Sequence, residues 1–198
     1  MDCAASEGPV PGDGRTASAK IVIAGGFGAG KTTTIGSVSD IAPLRTEARI
    51  TTASEGTDDT THVRGKSTTT VAMDFGRVAL AHDLVLYLFG TPGQDRFWFM
   101  WDDLAHGAIG AVIVVDSRRL ADSFAPVDYF EARGLPFVVA LNAFDGASPH
   151  TPEQVRDALG LDPAVPVVRC DARQRTDVVP VLIRVVEHAL LTHCRSTS

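Results

Sequence analysis

Ile21-Val22-Ile23-Ala24-Gly25-Gly26-Phe27-Gly28-Ala29-Gly30-Lys31-Thr32 is the stretch that decides the fold. A β-branched apolar run ends in glycine, four residues pass, and Gly30-Lys31-Thr32 follow. This is the G-x-x-x-x-G-K-[ST] phosphate loop, set between a predicted strand and a predicted helix. Glycines let consecutive backbone N–H groups curl around phosphate oxygens without Cβ clashes. The helix N-terminus adds partial positive charge. Lys31 is placed to reach terminal phosphates, and the Thr32 hydroxyl to ligate Mg²⁺. Gly25, Gly28, Ala29, Gly30, Lys31, Thr32 and Thr33 are the candidate phosphate-binding residues, and the ligand class is a nucleoside di- or triphosphate.

Outward from that loop, 198 residues with 44% hydrophobic composition suffice for one packed core. The net charge of −6 argues against a nucleic-acid partner, which would call for a basic face. Cys3, Cys170 and Cys194 show no metal-ligand spacing, and a reducing cytoplasm is the simplest compartment. The first residues lack the basic and apolar regions of a signal peptide, and no apolar run is long enough to span a membrane. With Asp2 second and Cys194 fifth from the end, neither N-myristoylation nor prenylation is expected. Any contact with the inner membrane is then expected through a partner.

Residues 1–18, rich in Gly, Pro, Ser and Ala, read as a disordered tail, and 194–198 as a second short tail. Strands are expected over about 20–24, 70–80, 84–89, 109–115, 135–141 and 166–169. Helices are expected over about 31–40, 96–106, 120–133, 152–159 and 176–193. From Ile41 to Thr69 the pattern is lost, which predicts a long functional loop. Residues 70–80 and 84–89 read as an antiparallel hairpin. The alternation elsewhere gives an α/β architecture with ligands at the carboxyl ends of the strands.

Further motifs fall at those strand ends. Gly90-Thr91-Pro92-Gly93-Gln94-Asp95-Arg96-Phe97 resembles the second switch of Ras-like small GTPases. Leu141-Asn142-Ala143-Phe144-Asp145 resembles their guanine-reading Asn-Lys-x-Asp motif. Cys170-Asp171-Ala172 resembles the loop whose backbone N–H meets the guanine carbonyl. The resemblance covers about residues 20–192 and implies a Ras-like G domain over 19–193, a P-loop NTPase with a six-stranded, mostly parallel sheet flanked by about five helices.

The roles it implies are specific. Gly93 would contact the γ-phosphate and Gln94 would orient the attacking water as the catalytic residue. Thr70, standing where the first-switch threonine stands just after a loop spanning 41–69, would join Thr32 on Mg²⁺. Asn142, Asp145 and Ala172 would bind guanine, with GTP and GDP as the ligands. Within the superfamily, Thr69–Gly76, Leu88–Phe97 and Val115–Asp122 look like the actinobacterial conservon GTPases, relatives of the bacterial gliding-motility polarity GTPase. That likeness implies a signal-transduction switch with slow intrinsic hydrolysis. Its expected partners are a roadblock-type regulator and a histidine-kinase-like membrane protein.

The sequence departs from the pattern in places. Gly90 stands where most members carry the Asp that holds a Mg²⁺-bound water, so weaker metal retention is expected. Asp116 reads as a turn cap rather than as its stand-in. Ala143 replaces the lysine that covers the base, with Phe144 beside it. Phe97-Trp98-Phe99-Met100-Trp101 cannot all point inward on a helical period, so Trp98 and Trp101 are the expected partner contact. Arg45, Arg49 and Arg64 are the candidates for a transition-state arginine in cis. The histidines form no ligand spacing. Two other readings stand beside the switch: a GTP/GDP-dependent scaffold that hardly hydrolyses, and a phosphate-loop kinase of a small molecule.

Overall fold

The computed structural model describes residues 16–42, 44–51, 68–81, 83–93, 95–144 and 150–196. Among these residues seven strands form one sheet: β1 (Ala17–Ala24), β2 (Leu44–Thr51), β3 (Thr68–Ala81), β4 (Leu84–Gly90), β5 (Gly110–Asp116), β6 (Phe137–Asn142) and β7 (Val167–Cys170). Their order is β2-β3-β4-β1-β5-β6-β7. The β2–β3 and β3–β4 pairs are antiparallel and the rest parallel. The α-helices of the described residues are α1 (Lys31–Val38), α2 (Trp101–Ala105), α3 (Phe124–Ala132), α4 (Pro152–Leu159) and α5 (Arg175–Ser196). Short 3₁₀ turns, Asp95–Met100 and Leu120–Ser123, lead into α2 and α3.

The two-residue period of the central strands builds the core. Ile21, Ile23, Val112, Val114, Val138 and Ala140 face α1 and α5, meeting Ile35, Val38, Val178, Val181, Leu182 and Val185. The alternate positions Val22, Ala24, Ile113, Val115, Val139 and Leu141 face the other way, onto Trp101, Val127, Phe130, Val155 and Leu159. Both faces of β5 and β6 are therefore buried along their whole length, which is why these strands read as unbroken apolar runs.

The α/β class and the six expected strands are present, and a seventh corrects the expectation of a featureless stretch from 41 to 69. Leu44–Thr51 pairs with β3 in the register Leu44↔Phe75 through Thr51↔Thr68. Its Leu-Arg-Thr-Glu-Ala-Arg-Ile-Thr sequence does alternate, with charge on every second position up to Arg49. Leu44 itself is 56% exposed, so this edge strand lacks the strong apolar signal of a buried one. The remainder of that stretch, 52–67, lies outside the described residues, as do the tail 1–15, Gln94 and Asp145. The tail's last residues differ from expectation: Ala17 already opens β1, its N–H donating to the Asp83 carbonyl at 2.6 Å.

Candidate functional site

Strand β1 ends at Ala24 and the chain turns through Gly25, Gly28 and Gly30, at φ of 137°, 74° and 113°. Only glycine holds such angles without strain, so the loop wraps back toward α1. Helix α1 begins at Lys31 with no side-chain cap and no acidic residue in its first turn, leaving its N–H groups for an anion. Ala29, buried, seats the loop on the core, while Thr33 is exposed on the first turn.

Lys31 Nζ donates to the carbonyls of Gly25 at 2.8 Å and Gly26 at 2.7 Å. Burial lowers its pKa to about 8, against the raising effect of nearby Asp74. An ammonium so desolvated gains when a phosphate replaces part of its lost hydration. The Thr32 hydroxyl donates to Asp74 Oδ2. A carboxylate and a hydroxyl at the start of the phosphate-loop helix form a hard-oxygen pair suited to Mg²⁺, which binds through one or two carboxylates and otherwise through phosphates and water. Among the described residues no group of three or more His, Cys, Asp or Glu gathers as a metal cage.

Asp74 is a candidate metal ligand that motif reading did not single out. It lies on β3, and the second-switch strand β4 passes directly beside it. A Cβ added at Gly90 would sit 3.2 Å from Asp74 Cβ and 3.1 Å from Ile35 Cδ1. A carboxylate from β3 thus fills the corner where most G domains bring one from β4. Thr70 stands four residues up the same strand, opposite Arg49. At roughly 3.3 Å per residue that is about 13 Å from Asp74. In this conformation the Thr32 hydroxyl meets Asp74. Asp116 is turned elsewhere: it accepts from the Arg118 backbone N–H and from Nε and Nη2, each at 2.9 Å. Those bonds to Arg118 hold its carboxyl below the ordinary range despite burial. It caps its turn, as the sequence suggested.

Gly93 packs on the phosphate loop. A Cβ there would lie 2.6 Å from Lys31 Nζ and 3.0 Å from Phe27 Cα. Only glycine fits. On the opposite flank, buried Asn142 donates from Nδ2 to the Ala29 carbonyl at 3.0 Å and accepts from Ala172 N–H at 3.1 Å. It ties the phosphate loop to the loop after β7. The Ala143 N–H donates to the Cys170 carbonyl at 2.8 Å, joining the ends of β6 and β7 beside it. Beside them the Arg118 guanidinium lies over the Phe144 ring at 3.8 Å, and Arg173 grips Asp171 with Nε and Nη2 at 2.9 and 2.7 Å.

The second-switch aromatics do not divide as expected. Trp101 is 2% exposed, stacks on Trp98 with ring centroids 4.8 Å apart, and donates from Nε1 to the Pro92 carbonyl at 3.3 Å. It belongs to the core, which corrects its assignment as a partner contact. Trp98 is half-buried and lines a cleft of about 390 Å³ with Phe27, Gly93, Asp122 and Pro126. The exposed ring of the segment is Phe99, at 60%. Among the described residues no helix is long and apolar enough to cross a membrane.

Fold and site together define a nucleotide-binding protein of the P-loop class, with the sheet and loop arrangement of a G domain. The profile of the family described as "Conserved hypothetical ATP binding protein" matches residues 23–192, and the chain belongs to that family. An uncharacterized protein of Methanocaldococcus jannaschii is 30% identical over 78 residues, which cover 38% of this chain and 50% of that one. This chain thus spans half the length of that curated relative in the match. Among solved structures, a mutant NFeoB of S. thermophilus bound to GDP is 19% identical, with a TM-score of 0.61 over 86% of this chain and 61% of the other. The G domain of the T. maritima FeoB iron transporter is 18% identical, with a TM-score of 0.62 over 87% and 99%. The FeoB G domain of Methanococcus jannaschii is 17% identical, with a TM-score of 0.56 over 87% and 97%. At such identities the likeness carries the fold.

Proposed function

We propose that the chain is a guanine-nucleotide switch that binds GTP, hydrolyses it slowly to GDP and phosphate, and changes its second-switch surface between the two states. The observation that carries this reading is Gly93 seated against Lys31 Nζ and Phe27. A third phosphate gathered by Lys31 has to meet the Gly93 segment, so the nucleotide state and the position of that segment are coupled. Lys31 and the N–H groups of Gly28 to Thr32 hold the phosphates. Mg²⁺, held by Thr32 and Asp74 and joined by Thr70 if the first switch closes, would neutralise charge on the terminal phosphates. Gln94 is the residue proposed to orient water, and Asn142, Asp145 and Ala172 form the guanine site.

Guanine is proposed over adenine because an aspartate at position 145 accepts from N1–H and the exocyclic amine together, a pair adenine does not offer. The GDP in the S. thermophilus NFeoB structure supports it. The family description names ATP, which makes an adenine-nucleotide protein the competing reading. The motifs resembling the conservon GTPases support a place in a bacterial signalling complex, with a roadblock-type regulator and a histidine-kinase-like membrane protein as partners. Phe99, Trp98 and the cleft beside Phe27 are the surface proposed for them.

The two tryptophans of the chain both lie in the second-switch segment, and Trp101 is bonded to Pro92, next to Gly93. Intrinsic fluorescence therefore reports the switch directly. Emission that differs between GDP and a non-hydrolysable GTP analogue, and decays from one to the other with GTP at the rate of phosphate release, is the expected result. Equal spectra in all states would leave only a static scaffold. A spectral change without phosphate release would select the non-hydrolysing scaffold instead.

A further inference from the structure

Among the described residues, Arg119 is an arginine that touches the phosphate loop. Strand β5 ends at Asp116, and the next residues form a turn closed by two backbone bonds. The Arg119 N–H donates to the Asp116 carbonyl at 2.9 Å, and the Asp122 N–H to the Arg119 carbonyl at 3.1 Å. The turn aims the Arg119 side chain across the loop after β1, where its Nη2 donates to the carbonyl of Phe27. The same nitrogen lies 3.2 Å from Asp122 Oδ2 and 3.8 Å from a Cβ placed at Gly28. Asp122 is itself pressed on the loop: its Cβ would lie 2.6 Å from a Cβ at Gly26. Arg119 and Asp122 thus straddle Gly26, Phe27 and Gly28 from outside.

Phe27 marks which end of the phosphate loop this is. It is the residue that Gly93 touches, beside Lys31 Nζ, and so it flanks the position of the outermost phosphate. Both described contacts of Arg119 use one terminal nitrogen, while a guanidinium carries five N–H donors in a planar fork. The side chain is half-exposed, long enough to pivot about Asp122 while its turn stays fixed. Neighbouring Arg118 is committed to Asp116 and Phe144. Arg45 and Arg49 belong to edge strand β2.

The geometry points to Arg119 as the cis-acting arginine of GTP hydrolysis, an assignment that rests on the GTP reading above. In the step, the oxygen of water bonds to the γ-phosphorus and the bond from that phosphorus to the β–γ bridging oxygen breaks. GDP leaves with the electron pair, and the protons of the water end on inorganic phosphate and solvent. Arg119 transfers no proton. It swings from the Phe27 carbonyl to the bridging and γ-oxygens and offsets the charge growing there, as an arginine supplied in cis or in trans does for this reaction. The resting bond to Phe27 keeps it close without closing the site to nucleotide.

Single-turnover hydrolysis of GTP by the intact chain, with Mg²⁺, would be compared with Arg119→Ala and Arg119→Lys. The complex of each with GDP and aluminium fluoride, a mimic of the transferring phosphoryl group, would be measured beside it. Trans arginines are worth about 10³–10⁵ in kcat, and an arginine already in cis supports about 10⁻² s⁻¹. The parent should therefore turn over near that rate and trap aluminium fluoride without a partner. Arg119→Ala should lose about 100-fold in rate and the aluminium fluoride complex, with GDP affinity within about threefold of the parent, and Arg119→Lys should recover part of both. A rate within about threefold of the parent, or an aluminium fluoride complex unchanged in Arg119→Ala, overturns the assignment. So does loss of GDP affinity in both variants, which would make Arg119 a brace of the loop. A parent that binds no guanine nucleotide overturns the GTP reading itself.

Discussion

The Thr32 hydroxyl donates to the carboxylate of Asp74, so the first helix and the third strand meet at the corner where a phosphate-bound cation would sit. Gly90, on the next strand, leaves room for that carboxylate, because a Cβ at 90 would crowd Asp74 and Ile35 at 3.2 and 3.1 Å. The missing aspartate of the second-switch motif is thus matched by one from β3. The expectation of weaker metal retention is therefore tested at Asp74.

Asp74→Asn should weaken Mg²⁺-dependent retention of GDP by about 10–100-fold, the range seen when a metal site loses a supporting group. Retention in chelator should stay as in the parent. Gly90→Asp alone should destabilise by crowding, whereas Gly90→Asp with Asp74→Ala should restore much of the Mg²⁺ dependence from the neighbouring strand. Release kinetics of a fluorescent GDP measure all four. Equal release by parent and Asp74→Asn at every Mg²⁺ concentration would remove Asp74 from the site.

Asn142 bridges two loops with both ends of its amide. Asn142→Ala strands the Ala29 carbonyl and the Ala172 N–H, each buried, at about 1–3 kcal/mol apiece. A loss of about 2–4 kcal/mol in a urea melt is expected, along with weaker nucleotide binding. A variant as stable as the parent would mean that water replaces both bonds.

Trp101 and Phe99 should separate cleanly. Trp101→Ala empties a core site and is expected to cost about 3–5 kcal/mol. Phe99→Ser, at an exposed position, should stay within about 0.5 kcal/mol of the parent and reduce capture of a partner if this face is the interface. Matching melts for the two would show that the aromatic cluster is not the support it looks to be.

Asp171 and Arg173 bracket Ala172 in the candidate base site. Hydrogen bonds from Arg173 hold the Asp171 pKa down to about 2, from 3.8. A depressed carboxyl pKa stabilises the fold above the unfolded value, and that contribution fades as pH falls from about 4 to about 2. Arg173→Ala should return Asp171 to near 3.8 in an NMR titration and soften the acid limb of stability over that window. An Asp171 pKa still near 2 in the variant would place the cause elsewhere.

The sequence carried the strands and phosphate loop well, because buried parallel strands announce themselves as apolar runs and the loop needs glycines at fixed spacing. Edge strand β2 was legible only in the alternation of Leu44, Thr46, Ala48 and Ile50 with Arg45, Glu47 and Arg49, too polar to stand out from a loop. Asp74 carried no signal of its own: its role depends on the neighbour-strand glycine at 90, a relation between residues 16 apart that only the sheet reveals. The placement of Arg119 over Phe27 likewise depends on two turns of distant sequence. For the aromatic run, periodicity showed that some rings must be exposed but could not say which, and the 3₁₀ entry to α2 turned Trp101 inward and Phe99 out.

Binding of GDP and ADP to the purified chain with Mg²⁺, measured by calorimetry beside Asp145→Asn, tests the account most directly. A site built to hydrogen-bond one base rejects another steeply. The parent should prefer GDP by about 100-fold or more, and Asp145→Asn should lose that preference in favour of xanthosine diphosphate. Equal affinity for the two nucleotides, or a preference for ADP, would contradict the guanine-switch reading and return the protein to the adenine-nucleotide class.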